Sequence, residues 1–209
     1  MERDELLQTL KRQYDSTFQM LRRAVEICPD DLWEDRGEEA PFWQQALHTA
    51  MALHGSLREA LPDFDHSVHQ GLEADLPTET PPEMSFRARA MLGIQMMRQD
   101  FEPSRPVTRE EMTGYLCELW ERTHEALERD LDRGLGASHL QVWAGQNLLE
   151  KHIYYLRHTQ HHIGRLNSIL FRRVGEPNPW IVVEKPAFTP GDYRGIEPLS
   201  ASSPGEDEG

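Results

Sequence analysis

The sequence predicts an all-α protein, an up-and-down four-helix bundle. Three observations lead there. Four long segments place apolar residues at spacings of three and four, the period of one helix face. Proline, glycine and capping signals fall at the ends of those segments rather than inside them. No stretch alternates apolar and polar residues as a half-buried strand would. Helices of this kind bury their apolar stripes against one another, and four of them close a core.

The first helix runs from about Glu2 to Ile27, with Leu6, Leu7, Leu10, Tyr14, Thr17, Phe18, Leu21 and Val25 on its buried side. Pro29-Asp30-Asp31 reads as a turn. Pro41 opens the second helix at a favourable first-turn position, and Pro62 stops it after Leu61. Its stripe carries Phe42, Leu47, Ala50, Met51, His54, Leu57 and Leu61, with His48 on the flank. From Pro62 to about Pro82 the chain is rich in Pro, Asp, Glu and His, the composition of a long surface connection. His66 and His69 belong to that connection and read as solvated. Met84 to Phe101 has apolar residues enough for a short helix, its methionines suited to filling core gaps. Thr108-Arg109-Glu110-Glu111 is a capping box that starts the third bundle helix, which continues to about Leu131 before Gly134 and Gly136. The fourth runs from about Asn147 to Arg173 and ends at Gly175-Glu176-Pro177. The predicted organisation is a bundle over 1–175 with a long connection between its second and third helices, a short extension over 176–190, and a disordered acidic tail over 191–209. Within the extension, Pro179 to Val183 is an apolar patch expected to pack on the bundle.

Composition narrows the functional classes. The net charge of −14 repels phosphate backbones and anionic membranes, which argues against nucleic acid or a membrane surface as partner. No apolar run has the length of a membrane span, and the N-terminus lacks a signal-peptide core. Cys28 and Cys117 form no metal or redox motif and read as reduced thiols in a cytoplasmic protein.

The chemistry gathers in the fourth helix, at His158-Thr159-Gln160-His161-His162-Ile163-Gly164-Arg165-Leu166. His158 and His162 are four apart, so they share a helix face about 6 Å apart along the axis and can bind one ion without bending the backbone. His161 is rotated about 100° away, onto the polar side. A histidine on a half-buried helix is ordinarily just hydrogen-bonded, so the pair needs a third ligand from another helix to make a site. His152 lies too far along and around the same helix. His124 has no ligand-type residue near it in sequence. The second helix offers His54, in the middle of the apolar stripe and slightly preferred by periodicity, and His48, one position off it. Pattern leaves the choice open. Gly164, inside a helix at a cost of about 1 kcal/mol against Ala, suggests the close approach of a neighbouring helix.

Two segments resemble the DinB superfamily of metal-binding four-helix bundles, which includes YfiT-type and DUF664-type proteins. Pro41-Phe42-Trp43-Gln44-Gln45-Ala46-Leu47-His48 is similar to the family's second helix. The stretch from His158 to Leu166 resembles its H-x-x-x-H-x-G-Q-L signature, with Arg165 where Gln is usual. The resemblance implies a three-histidine site of His48, His158 and His162 for a divalent ion such as zinc, nickel or iron. It also implies an open coordination position, a homodimer, and thiol-dependent S-transfer or isomerisation with a low-molecular-weight thiol such as bacillithiol or mycothiol. The residues themselves display no thiol pocket and no general base, since Glu150 lies two turns from His158. A function of another class is a non-catalytic metal-binding or interaction bundle, stress-associated, in which the histidines brace two helices.

Overall fold

The computed structural model describes residues 2–35, 37, 40–57, 106–139, 144–175, 178, 180–182 and 186–189. Among these the protein is all-helical: α1 (Arg3–Ile27), the single turn α2 (Asp30–Trp33), α3 (Phe42–Ser56), α4 (Arg109–Arg133) and α5 (Leu148–Val174). The expected connection over 62–82, the helix over 84–101 and the tail lie outside the described residues.

Local chemistry sets the helix ends. Asp4 and Glu5 occupy the first turn of α1, where negative charge meets the exposed N–H groups. Cys28 leaves the helix in an extended conformation, as the residue before a proline prefers. The Pro29-Asp30-Asp31 turn tightens into α2, whose Trp33 donates its indole N–H to the Val107 carbonyl at 2.8 Å, tying α2 to the entry of α4. The carbonyl of Pro41 accepts from the amides of Gln44 and Gln45 and so opens α3. At Thr108 the capping box is complete, its hydroxyl accepting from the Glu111 amide while the Glu111 carboxylate accepts from the Thr108 amide. Asn147 caps α5 through the Glu150 amide, and Gly175 ends it at φ 79°, a left-handed conformation that suits glycine.

The helices form a bundle in which α1 lies against α4 and α5, and α3 against α5 and α4. Contacts give the directions. Arg3 pairs with Asp132, and Asp30 with Arg109, so α4 runs against α1. Tyr14 meets His152 and Thr17 meets Gln160, so α5 runs with α1. Phe42 packs on Trp33 near the start of α4, and His54 reaches Tyr115 further along it, so α3 and α4 run the same way. α3 therefore ends, and α4 begins, at opposite ends of the bundle, so the four long helices run up, down, down, up, which corrects the expected up-and-down alternation while keeping the all-α bundle. The core between them holds Tyr14, Phe18, Leu21, Phe42, Leu47, Leu53, Met112, Leu116, Leu127 and Ile163, all essentially inaccessible to solvent.

Two local expectations need correcting. Of the described residues in the apolar patch at 179–183, Trp180 and Val182 face outward and Ile181 leans on the core. The packing is done instead by Asn178, which donates to the Met20 carbonyl, and by Ala187 and Phe188. Phe188 lies against Trp120 and under the Arg22 guanidinium. Gly164 sits on an exposed surface, and among the described residues a Cβ there would meet nothing within 4 Å, so no described helix needs its small size. No described helix is long and apolar enough to cross a membrane.

Candidate metal centre

α3 and α5 pack face to face, and their contact brings His48 on α3 opposite His158 and His162 on α5. One ring nitrogen from each of the three falls within 4.8 Å of the others. His158 and His162, a helical turn apart, bring their Nε2 atoms to 2.9 Å. The ring of His48 closes on that of His162 at 4.8 Å between centroids. All three side chains are half-buried, neither sealed in the core nor free in water.

The electrostatics are those of neutral imidazoles crowded together. Burial, then the neighbouring His48 and His161, pull His158 down to about 4. Burial, then His158 and His48, take His162 down to about 3. His48 is lowered too, by burial and then by the Arg165 charge. At neutral pH the rings are therefore uncharged and offer lone pairs. Two facing Nε2 atoms share either one proton or one cation. His158 Nδ1 is buried and has no hydrogen-bond partner among the described residues. The donor set of three neutral nitrogens fits a borderline divalent ion.

Family comparison covers this same ground. The model of the DinB superfamily matches residues 13–166, a span that contains all three histidines. The chain belongs to the DinB superfamily. No curated protein and no solved structure matches the chain. The DinB match ends before Asn178 and Phe188, so the segment packed on α1 lies beyond it.

The other histidines go elsewhere. His54, which periodicity slightly preferred as third ligand, is buried with Nδ1 2.8 Å from the Tyr115 hydroxyl and takes no part in the cluster. His161 is exposed, as its helical phase predicts. His124 lies 3.2 Å from Asp15, a carboxylate distant in sequence, which also accepts from Trp120. His66 and His69 lie outside the described residues.

His152 belongs to a buried network that sequence reasoning missed. Its Nδ1 is 3.0 Å from the Tyr14 hydroxyl, and its Nε2 is 3.0 Å from Asp130 Oδ2. The same oxygen accepts from the Lys151 ammonium at 2.6 Å. Burial alone would raise the Asp130 pKa, but hydrogen bonds from His152 and Lys151 outweigh it and hold the carboxyl at about 2. The neutral ring of His152 thus donates from Nε2 and accepts from Tyr14 at Nδ1. A signal was present: Asp130 and Lys151 fall on the apolar phases of α4 and α5, where an unpaired charge could not stand.

Proposed function

We propose that this DinB-superfamily protein is a divalent-metal-dependent enzyme whose ion, zinc, nickel or iron, is held by His48, His158 and His162. The observation that carries the reading is the convergence of three uncharged ring nitrogens from two helices within 4.8 Å. Three protein ligands on a half-buried face leave positions for an exchangeable guest, the layout of catalytic rather than closed structural sites. An ion held there supplies Lewis acidity, which turns a bound thiol or water into its nucleophilic anion near neutral pH. The reaction class proposed is thiol-dependent S-transfer or isomerisation with a small-molecule substrate, following the family resemblance. The chain's own residues supply the neutral ligands, the rigid α3–α5 frame and the partly shielded face. Cys28 and Cys117, buried and not joined in a disulfide, fit a reducing, cytoplasmic setting. A homodimer, as the resemblance implies, is part of the same proposal.

The second reading is a bracing ion without catalysis, favoured by the position of the cluster at the α3–α5 contact. A fourth protein ligand would support that reading, and an exchangeable water or thiol the enzyme. The test of the centre is metal analysis of protein purified without added metal and after cobalt loading. His48→Ala, His158→Ala and His162→Ala should each remove most of the bound ion, whereas His161→Ala and His54→Ala retain it. Equal loss in His54→Ala and His48→Ala would overturn the ligand set, and a parent protein that takes up no ion would overturn the centre.

A further inference from the structure

Tyrosine stands beside histidine at several places in this bundle, and the pairs are built differently. Tyr14 meets His152 edge to face, 5.9 Å between ring centroids, with its hydroxyl 3.0 Å from Nδ1. Tyr115 lies 5.9 Å from His54, with its hydroxyl 2.8 Å from Nδ1. Each of those pairs closes on itself through its polar atoms. Tyr154 and His158 instead lie nearer to parallel, 5.6 Å apart with 33° between their planes, in the range of an offset stack. They share no hydrogen bond: His158 Nε2 faces His162, and His158 Nδ1 has no hydrogen-bond partner among the described residues.

The sequence sets Tyr154 in this place. Tyr154, His158 and His162 recur at intervals of four, so they form one stripe along α5. The Tyr154 side chain is half-buried, as the three histidines are. Its ring is held by its neighbours: Tyr155 meets it edge-on at 5.1 Å, and the Arg157 guanidinium lies over it at 5.9 Å. Those contacts and the one with His158 engage the ring and leave the hydroxyl without a hydrogen-bond partner among the described residues. α3, across the cluster, carries no Asp, Glu, Lys or Arg that would compete for a guest there.

We propose that Tyr154 meets the guest of the three-histidine centre, its hydroxyl donating a hydrogen bond to an oxygen or nitrogen that the guest carries beside its metal-bound atom. This rests on the metal reading above and adds a substrate class to it: molecules with an acceptor, such as a carbonyl oxygen, close to the atom the ion holds. The reach is right. A phenol oxygen stands farther from its Cα than an imidazole nitrogen does. From the neighbouring turn, with its ring alongside His158, it extends past the ligating atoms to the level of a guest. The energetics agree. A donor already fixed where negative charge gathers on a bound substrate needs no reorganisation when that charge appears. Half-burial strengthens such a bond over the same bond in open water.

The test loads the full chain with cobalt(II), whose visible spectrum reports a ligand entering its coordination, and titrates two probes. Azide carries an acceptor nitrogen beyond the atom bound to the metal, and ethanethiol carries only an ethyl group there. Tyr154→Phe keeps the ring and removes the hydroxyl, so it should take up cobalt as the parent does, with the same spectrum. Its azide affinity should fall roughly tenfold, the size of one hydrogen bond to a charged acceptor, while its ethanethiol affinity stays unchanged. Azide affinity equal to the parent's, or an equal loss for both probes, would overturn the assignment of the hydroxyl and leave the metal centre standing. A cobalt-loaded parent that takes neither probe has no open position, and the proposal falls together with the enzyme reading. A parent that binds no cobalt overturns the centre beneath both, a distinct result.

Discussion

His152 and His158 stand six residues apart on one helix, and their surroundings are opposites. His152 is buried and fully occupied: Tyr14 satisfies one nitrogen, Asp130 the other, and Lys151 shares the same carboxylate oxygen. His158 is half-buried, faces two more neutral rings, and leaves a buried nitrogen without a partner. The first arrangement occupies both nitrogens of its ring and ties α1, α4 and α5 together, although Asp130 Oδ1 in the same network has no hydrogen-bond partner among the described residues. The second keeps capacity in reserve. A histidine in a helical bundle is thus read by which of its two ring nitrogens the fold has already occupied.

The sharpest way to break this contrast is to remove the anchor of the His152 network. Asp130→Asn leaves the Lys151 ammonium buried without its counter-charge and should destabilise the protein by roughly 3–5 kcal/mol in urea unfolding. The metal content of the folded fraction should not change. If the ion is lost in step with Asp130, the two clusters are one functional unit and the contrast fails.

The pH dependence of stability separates them next. Asp130 binds its proton more weakly folded than unfolded, since its carboxyl lies at about 2 against an ordinary 3.8. Its contribution is therefore complete above about pH 4 and is lost as pH falls toward about 2, for a total of about 2 kcal/mol. His152, also lowered by burial but with Asp130 opposing, adds loss in the same direction as pH drops below its ordinary 6.5. His139 shares the surroundings and is lowered as well, first by burial, so it does not reverse that sign. An acid-unfolding series comparing the parent with Asp130→Asn should show the step between about pH 4 and 2 in the parent alone.

The smallest effect concerns the outer partner. Tyr14→Phe removes the hydroxyl that meets His152 Nδ1 and should cost about 1 kcal/mol, read as a shift in the urea midpoint with unchanged slope. A loss several times larger would mean that the hydroxyl, rather than Asp130, sets the orientation of the ring.

Much of the frame was legible because it is written locally. The spacing of Leu7, Leu10, Tyr14, Phe18 and Leu21, the Thr108–Glu111 capping box, the Asn147 cap and Gly175 each act within a few residues, and each stands where its local chemistry requires. The His158–His162 pair was legible for the same reason, since one helical turn suffices to align two rings. The third histidine was not legible from spacing, and only the family resemblance named His48. His48 and His54 both lie on or beside the buried stripe of α3, and periodicity cannot tell which one an adjacent helix will occupy. Tyr115, on α4, takes His54, while α5 presents its pair to His48. Gly164 misled because a helix-interior glycine suggests a close neighbour, and no described residue packs against it.

What the chain determines by itself is thus the helices, their ends, and the two rings on one face of α5, all products of forces that act over a turn or two. Tertiary packing alone decided the partners: His48 for the pair, Asp15 for His124, Tyr14 and Asp130 for His152, Trp120 for Phe188. Those choices depend on which helix faces which and at what height. Side chains distant in sequence compete for the same space there, and a periodic pattern carries no information about the winner.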